Sequence, residues 1–211
     1  MVPTSRSYRD RCPIAGALDV VGERWALLAV RELLFGPQRF SDLRRALPGT
    51  STNMLTDRLR ELEAHGVIRR RMLAPPAASS VYELTDRGHA LQGVLDALGA
   101  WGASEPAPQD GSLSAAAVLL FLRGSAHAHP HPPTGVWGVE LGGQPWTITG
   151  RDGEFGIRPG EAPEAESQLE TDPDTLNALL LKPEGLDQAI ATSKVRLHGT
   201  ATAPPWLSIA A

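Results

Sequence analysis

The 211-residue chain has a single cysteine, Cys12, so no disulfide framework can form within it. That scarcity points to a reducing compartment. The first residues lack the apolar core of a secretory signal, and the longest strongly apolar run, 115–122, is far short of the roughly 20 residues of a membrane span. The expectation is a cytoplasmic protein with no membrane partner. Other absences bear on chemistry. There is no glycine-rich phosphate loop, no paired Cys-His metal spacing and no Gly-x-Ser-x-Gly elbow, which argues against an enzyme and against any cofactor or catalytic residue. His127, His129 and His131 lie among prolines without a nearby Cys or carboxylate, and read as a solvated loop rather than a metal site.

Charge is unevenly spread. Residues 1–103 hold 14 arginines against 11 acidic residues, +3, while 104–211 hold 6 basic against 13 acidic residues, −7. The first half can approach phosphate; the second repels it. The length suits two domains, and 102–113, rich in Ala, Ser, Pro, Gln and Gly, reads as the join. The boundaries expected are 1–103 and 114–211, with 104–113 as linker.

The most informative stretch is 51–66. Ser51 or Thr50 can cap a helix just after Pro48-Gly49, and Gly66 can end it. Leu55, Leu59 and Leu62 recur at helical spacing and form one buried stripe. Asn53, Asp57, Arg60 and Ala64 point away from that stripe, with Ser51, Thr52 and Thr56 at the exposed first turns. Small hydroxyl and amide side chains with an arginine behind them suit the reading of base edges. Alone, the stretch fits an ordinary surface helix better; its neighbours reverse that balance.

Before it come three shorter helical segments: one from Pro13 to Gly22, one from Arg24 to Phe35, and one beginning near Ser41 as cap and ending at Pro48. After it, 67–73 reads as a strand, 75–80 as a loop and 81–84 as a return strand, making a helix-turn-helix with a β-hairpin wing. In a strand Arg69 and Arg71 share one face and Arg70 takes the other. From Thr85-Asp86 a further helix carries Leu91, Val94, Leu95, Leu98 and Trp101. That stripe exceeds the need of one small domain, so a second copy of the chain is the expected cover.

Cys12-Pro13-Ile14, Gly22-Glu23-Arg24-Trp25, Arg31-Glu32-Leu33-Leu34, Arg39-Phe40-Ser41-Asp42-Leu43, Met54-Leu55-Thr56-Asp57-Arg58-Leu59 and Tyr82-Glu83-Leu84-Thr85 occur in this order. Together they resemble the HxlR-type winged helix-turn-helix regulators over about residues 11–103. The resemblance implies a homodimer, joined through its N-terminal helices and the helix of Leu91, Leu95, Leu98 and Trp101, that binds double-stranded DNA. It adds Arg39, Arg58, Arg69 and Arg71 to the DNA side. By helical position Arg58 lies on the flank of the leucine stripe, so a phosphate contact and a packing ion pair both stay open for it. Two departures stand out: Gly-Glu-Arg-Trp replaces the family's Gly-Gly-Lys-Trp, and the wing tip lacks a basic residue. Cys12 has two readings. It is a small apolar residue at a helix start, or, as in some members of that family, a sensor thiol activated by the helix N-terminus beside Arg9 and Arg11.

Beyond 113 an apolar helix is expected over 114–123, broken at Gly124, and then the period changes to two. Trp137, Val139 and Leu141 alternate with small or polar residues, as do Trp146 and Ile148, Phe155 and Ile157, and Val195 and Leu197. Gly142-Gly143 and Asp152-Gly153 read as hairpin turns, Asp172-Pro173 as the start of a helix to Leu181, and 186–191 as another. The fold class is therefore α+β: a winged helix-turn-helix, then an antiparallel sheet covered by short helices. Segments 166–181 and 188–199 resemble the sterol carrier protein type 2-like domain over about 112–211. That resemblance implies an apolar cavity for a hydrophobic small molecule, lined by Trp137, Trp146, Phe155, Leu176, Leu179 and Leu180; the same residues equally well fill a core. Functionally, the expectation is a dimeric DNA-binding regulator modulated by such a molecule. Alternatives are a thiol- or electrophile-sensing regulator working through Cys12, and a hydrophobic-ligand carrier or interaction module that does not bind DNA specifically.

Overall fold

The computed structural model describes residues 7–74, 79–103, 111–165, 167–199 and 203–209. The wing-tip residues 75–78 and the linker residues 104–110 lie outside them. The chain divides into two compact units, Met1–Ser104 and Glu105–Ala211.

The first unit runs α1 (Pro13–Val21), α2 (Ala26–Leu33), β1 (Gln38–Arg39), α3 (Phe40–Ala46), α4 (Thr52–Ala64), β2 (Ile68–Met72), β3 (Ser80–Leu84), α5 (Asp86–His89) and α6 (Gln92–Gly102). Its core collects Ala29, Val30 and Leu33 of α2, Leu43 of α3, and Leu55, Leu59 and Leu62 of α4, all buried. Burying a leucine side chain fully is worth about 1.5–3 kcal/mol. α4 starts where a cap stands: Ser51 Oγ accepts from Met54 N at 3.3 Å. It ends where Gly66 takes φ +67°. β1, β3 and β2 form a small antiparallel sheet in that order.

Three local expectations are revised. α2 begins at Ala26 rather than Arg24, because Trp25 sits in the left-handed region at φ 78°. α3 begins at Phe40 with Arg39 in the cap position, so Ser41 lies inside the helix. The single helix expected from Thr85 is two. Thr85 caps α5 and ties it to the turn after α4, its Oγ1 donating to the Gly66 carbonyl at 2.6 Å, whereas α6 packs against α2. Those anchors are met by a break at Ala90-Leu91.

The second unit runs α7 (Ala115–Ala128), β4 (Gly135–Leu141), β5 (Gln144–Arg151), β6 (Glu154–Pro159), β7 (Ser167–Thr171), α8 (Pro173–Leu181), α9 (Leu186–Ala191) and β8 (Arg196–Gly199), ending in a short 3-10 turn. The sheet order is β6-β5-β4-β7-β8. Its joints are antiparallel except β4–β7, which is parallel. After β6 at one edge the chain returns across the sheet to lie beside β4, and that crossover sets the direction. α7 does not stop at Gly124. It continues to Ala128 because its apolar side, Val118, Leu119, Leu122 and Ala126, stays buried past that point; packing overrides the weak helix preference of Gly124-Ser125. Val195 is buried but precedes β8. The β4–β5 turn has Gly142 at φ 60° and Gly143 at φ 79°, a conformation that matches the strand twist and disfavours a Cβ.

Candidate nucleic-acid interface

The leucine stripe holds α4 by one side, so the opposite side must face out. Ser51, Thr52, Asn53, Asp57 and Arg60 are exposed and Thr56 is half-buried. Thr56 Oγ1 donates to the Thr52 carbonyl at 2.8 Å, which ties up its proton. Arg60 faces solvent beside Asp57 at 3.7 Å. Arg58 is different. Its side chain is 16% exposed and is held by Glu61 and, at 3.8 Å, by Glu23. These ion pairs tie α4 to the turn before α2.

Two features near the start of α4 were not legible in the sequence. Arg44 of α3 reaches over and donates through Nη1 to Thr52 Oγ1, adding a guanidinium beside the first turn. The Trp25 ring lies on the turn between α3 and α4; a Cβ placed on Gly49 would fall 2.7 Å from Trp25 Cη2. The Arg24 guanidinium stands over the same indole at 5.3 Å.

The wing supplies the remaining arginines. Arg39, on β1, is exposed and donates through Nε to Ser79 Oγ at 3.0 Å. Arg69 and Arg71 share one face of β2 and both bond Glu83 of β3, at 2.7 and 2.9 Å. Hydrogen bonding from Arg69 holds the Glu83 carboxyl below the usual carboxylate range; partial desolvation works against that and Arg71 adds to it. Arg70, on the other face, lies over the Tyr82 ring at 5.8 Å.

Cys12 is an exposed free thiol at the cap position of α1, where its side chain makes no capping bond. Its amide donates to Asp10 Oδ1 at 3.0 Å.

In the second unit Trp137, Trp146, Phe155, Leu176, Leu179 and Leu180 are all buried. Two depressions mark the surface of this unit. One of about 590 Å³ sits at the β5–β6 turn and is lined by His127, Arg151, Asp152 and Glu154 with Phe155. The other, about 280 Å³, includes Gly138, Glu140, Gln168 and His198 with Trp146. Neither takes in Trp137 or α8. α7 carries His127 and ends before His129, whose Nδ1 accepts from His131 N at 3.2 Å. Among the described residues no three His, Cys, Asp or Glu side chains are placed to hold a metal ion. No helix among them is long and apolar enough to cross a membrane.

Comparison with known proteins bears on the first unit. Residues 20–110 match the model of the HxlR-like helix-turn-helix family. The HTH-type transcriptional regulator YvaP of Bacillus subtilis is 40% identical over 93 residues, 44% of this chain and 86% of that protein. The HTH-type transcriptional regulator YodB of the same organism is 36% identical over 91 residues, 43% of this chain and 81% of the relative. The quinone-bound crystal structure of YodB aligns at 34% identity over 44% of this chain and all of that one, with a TM-score of 0.39.

Proposed function

The chain belongs to the HxlR-like helix-turn-helix family, and from that premise we propose that it is a transcriptional regulator that binds double-stranded DNA as a homodimer. The observation that carries the reading is the outward face of α4: Ser51, Thr52, Asn53 and Arg60 exposed on a helix whose other side is locked in the core. In this reading Asn53 and Thr52 meet base edges, while Arg39, Arg69 and Arg71 meet phosphate. Dimerisation is supported by the apolar side chains that α1 and α6 leave in solvent: Ile14, Leu18, Val94, Leu98 and Trp101, the last 77% exposed. The role is regulatory, not enzymatic.

The finer reading concerns the second unit as a domain of its own. Residues 114–211 form a sterol carrier protein type 2-like domain that takes a hydrophobic molecule and thereby shifts operator affinity. Its support is the apolar set Trp137, Trp146, Leu176, Leu179 and Leu180, gathered from two strands and one helix. A ligand there acts on DNA affinity only if it prefers one dimer arrangement. The exposed Cys12 favours a second reading, in which an oxidant or electrophile modifies the thiol at the start of α1.

Selection of bound duplexes from random DNA, followed by anisotropy titration at several salt concentrations, tests the DNA reading. Expected are two half-sites about 10 base pairs apart and an affinity that falls steeply with salt. A monomer by sedimentation, or binding without sequence preference, overturns it. Titrating apolar compounds while following tryptophan fluorescence and operator affinity together, with Trp137→Phe and Trp146→Phe as controls, tests the second unit. Treating Cys12→Ser alongside the wild type with a quinone separates the thiol reading from both.

A further inference from the structure

The register of the wing places Arg69 directly opposite Glu83, with Arg71 one diagonal step along the same face. The carboxylate lies between the two: Arg69 Nε donates to Oε1 and Arg71 Nε to Oε2. One anion thus serves two cations, and the trio keeps a positive charge. Depth is also ordered. The Glu83 side chain is 12% exposed, those of Arg69 and Arg71 66% and 47%. The acid is at the base and the guanidiniums stand above it. Both are gripped by Nε, and their terminal nitrogens have no partner among the described residues.

Free surface arginines sample many rotamers, and two of them at i and i+2 repel each other. A carboxylate bonded to both Nε atoms removes each obstacle. It leaves two guanidinium edges held side by side for an incoming oxyanion, the geometry in which charge-assisted bonds to phosphate are strong.

We infer that Glu83 is the positioning residue of a two-arginine clamp on the wing, which holds Arg69 and Arg71 so that their outer edges grip the phosphate backbone of duplex DNA. This deepens the DNA-binding reading and rests on it. The clamp contributes affinity without sequence preference, since phosphate carries none.

The sign of the effect separates this from simple charge. Removing a negative charge from a DNA-facing surface tightens binding by attraction alone, though across several ångströms of salt water by less than about twofold. Releasing two ordered arginines weakens it by about two- to tenfold for each side chain. Positioning therefore outweighs attraction.

The experiment measures affinity of the full chain for a random-sequence duplex by fluorescence anisotropy at several salt concentrations. Wild type is compared with Glu83→Gln, Glu83→Asp, the double variant Arg69→Ala/Arg71→Ala, and that double variant combined with Glu83→Gln. Thermal melts monitor folding. Glu83→Gln is expected to weaken binding about three- to tenfold although it adds net positive charge. Glu83→Asp, which keeps the charge but loses reach, should weaken it too, and supplies the answer if Glu83→Gln folds poorly. Without the two arginines, Glu83→Gln should no longer weaken binding. Wild-type or tighter binding by both Glu83 variants overturns the clamp and leaves the DNA reading standing, as does an equal loss in the double-arginine background. If the wild type itself shows no salt-dependent duplex binding, the DNA reading falls and takes the clamp with it.

Discussion

In the first unit, α4 hides Leu55, Leu59 and Leu62 and shows Asn53, Asp57 and Arg60; in the second, β4 hides Trp137, Val139 and Leu141 and shows Glu140. Burial of the large apolar side chains follows the period of the element in both, 3.6 in one and two in the other. What stands outside differs. The open side of α4 lies next to Arg44, and the wing adds Arg39, Arg69 and Arg71, each bonded to a neighbouring side chain. On the second unit the exposed polar side carries a carboxylate-centred group, Glu170 with Arg196 and His198. Buried residues tell how a unit folds, and only the exposed ones tell what it meets. An aromatic set such as Trp137 and Trp146 serves a core and a ligand wall equally well, so it names no partner by itself.

The largest test of that contrast is a matched pair of core deletions. Leu59→Ala and Leu180→Ala each remove a buried leucine and should each cost about 2–5 kcal/mol in denaturant unfolding. Only Leu59→Ala should also abolish duplex binding. Loss of DNA affinity in Leu180→Ala would break the distinction between the units.

A second test stays within the reading face. Asn53→Ala should change base preference at one position by about 1–3 kcal/mol, whereas Arg39→Ala should weaken all sequences alike and flatten the salt slope. Equal losses on specific and random duplexes for Asn53→Ala would show that the face was assigned wrongly.

Much of α4 was legible because its signals are local: a cap, a stripe and a terminal glycine lie within sixteen residues, at 51–66. The strands and turns of the hairpins were legible for the same reason. The parallel β4–β7 joint was not, because pairing across two intervening strands leaves no trace in either segment. Nor were the bonds of Glu83, which depend on the register of β2 against β3. The ion pair of Arg58 with Glu23, 35 positions away in the chain, was likewise beyond the reach of a helical wheel, whereas its pair with Glu61 lies at helical spacing. Gly124-Ser125 and Ala90-Leu91 misled in opposite directions, since tertiary anchoring, not local preference, decided whether each helix continued.

A smaller comparison uses the two caps. Ser51 accepts from Met54 N, and Asp172 accepts from Thr175 N at 2.8 Å and from its hydroxyl at 2.7 Å. Replacing either by alanine should cost about 1 kcal/mol in thermal melts. The Ser51 loss should be mirrored in operator affinity and the Asp172 loss should not.

The smallest effect is the acid limb. Glu170 is held below its ordinary value chiefly by the hydrogen bond from Arg196, and Glu83 by that from Arg69. A depressed carboxyl stabilises fully above its unfolded value, about 4.5, and that contribution disappears as pH falls through the folded value. Both carboxylates are near solvent, so the change is slight. Melting temperature should hold steady down to about pH 5 and drop below it, with Glu170→Gln flattening the drop; an unchanged slope would remove that pair from the account.

The indole of Trp25 on the Gly49 turn has a mechanical consequence. The ring leaves no room for a side chain at Gly49 and so braces the turn between α3 and α4, and Arg58 paired with Glu23 ties the far flank of α4 to the segment before α2. These two ties favour movement of the helix-turn-helix as one block. In the proposed homodimer, a signal that silences or activates the protein then acts by changing where two such blocks stand relative to each other, as a caliper changes its span while its jaws keep their form.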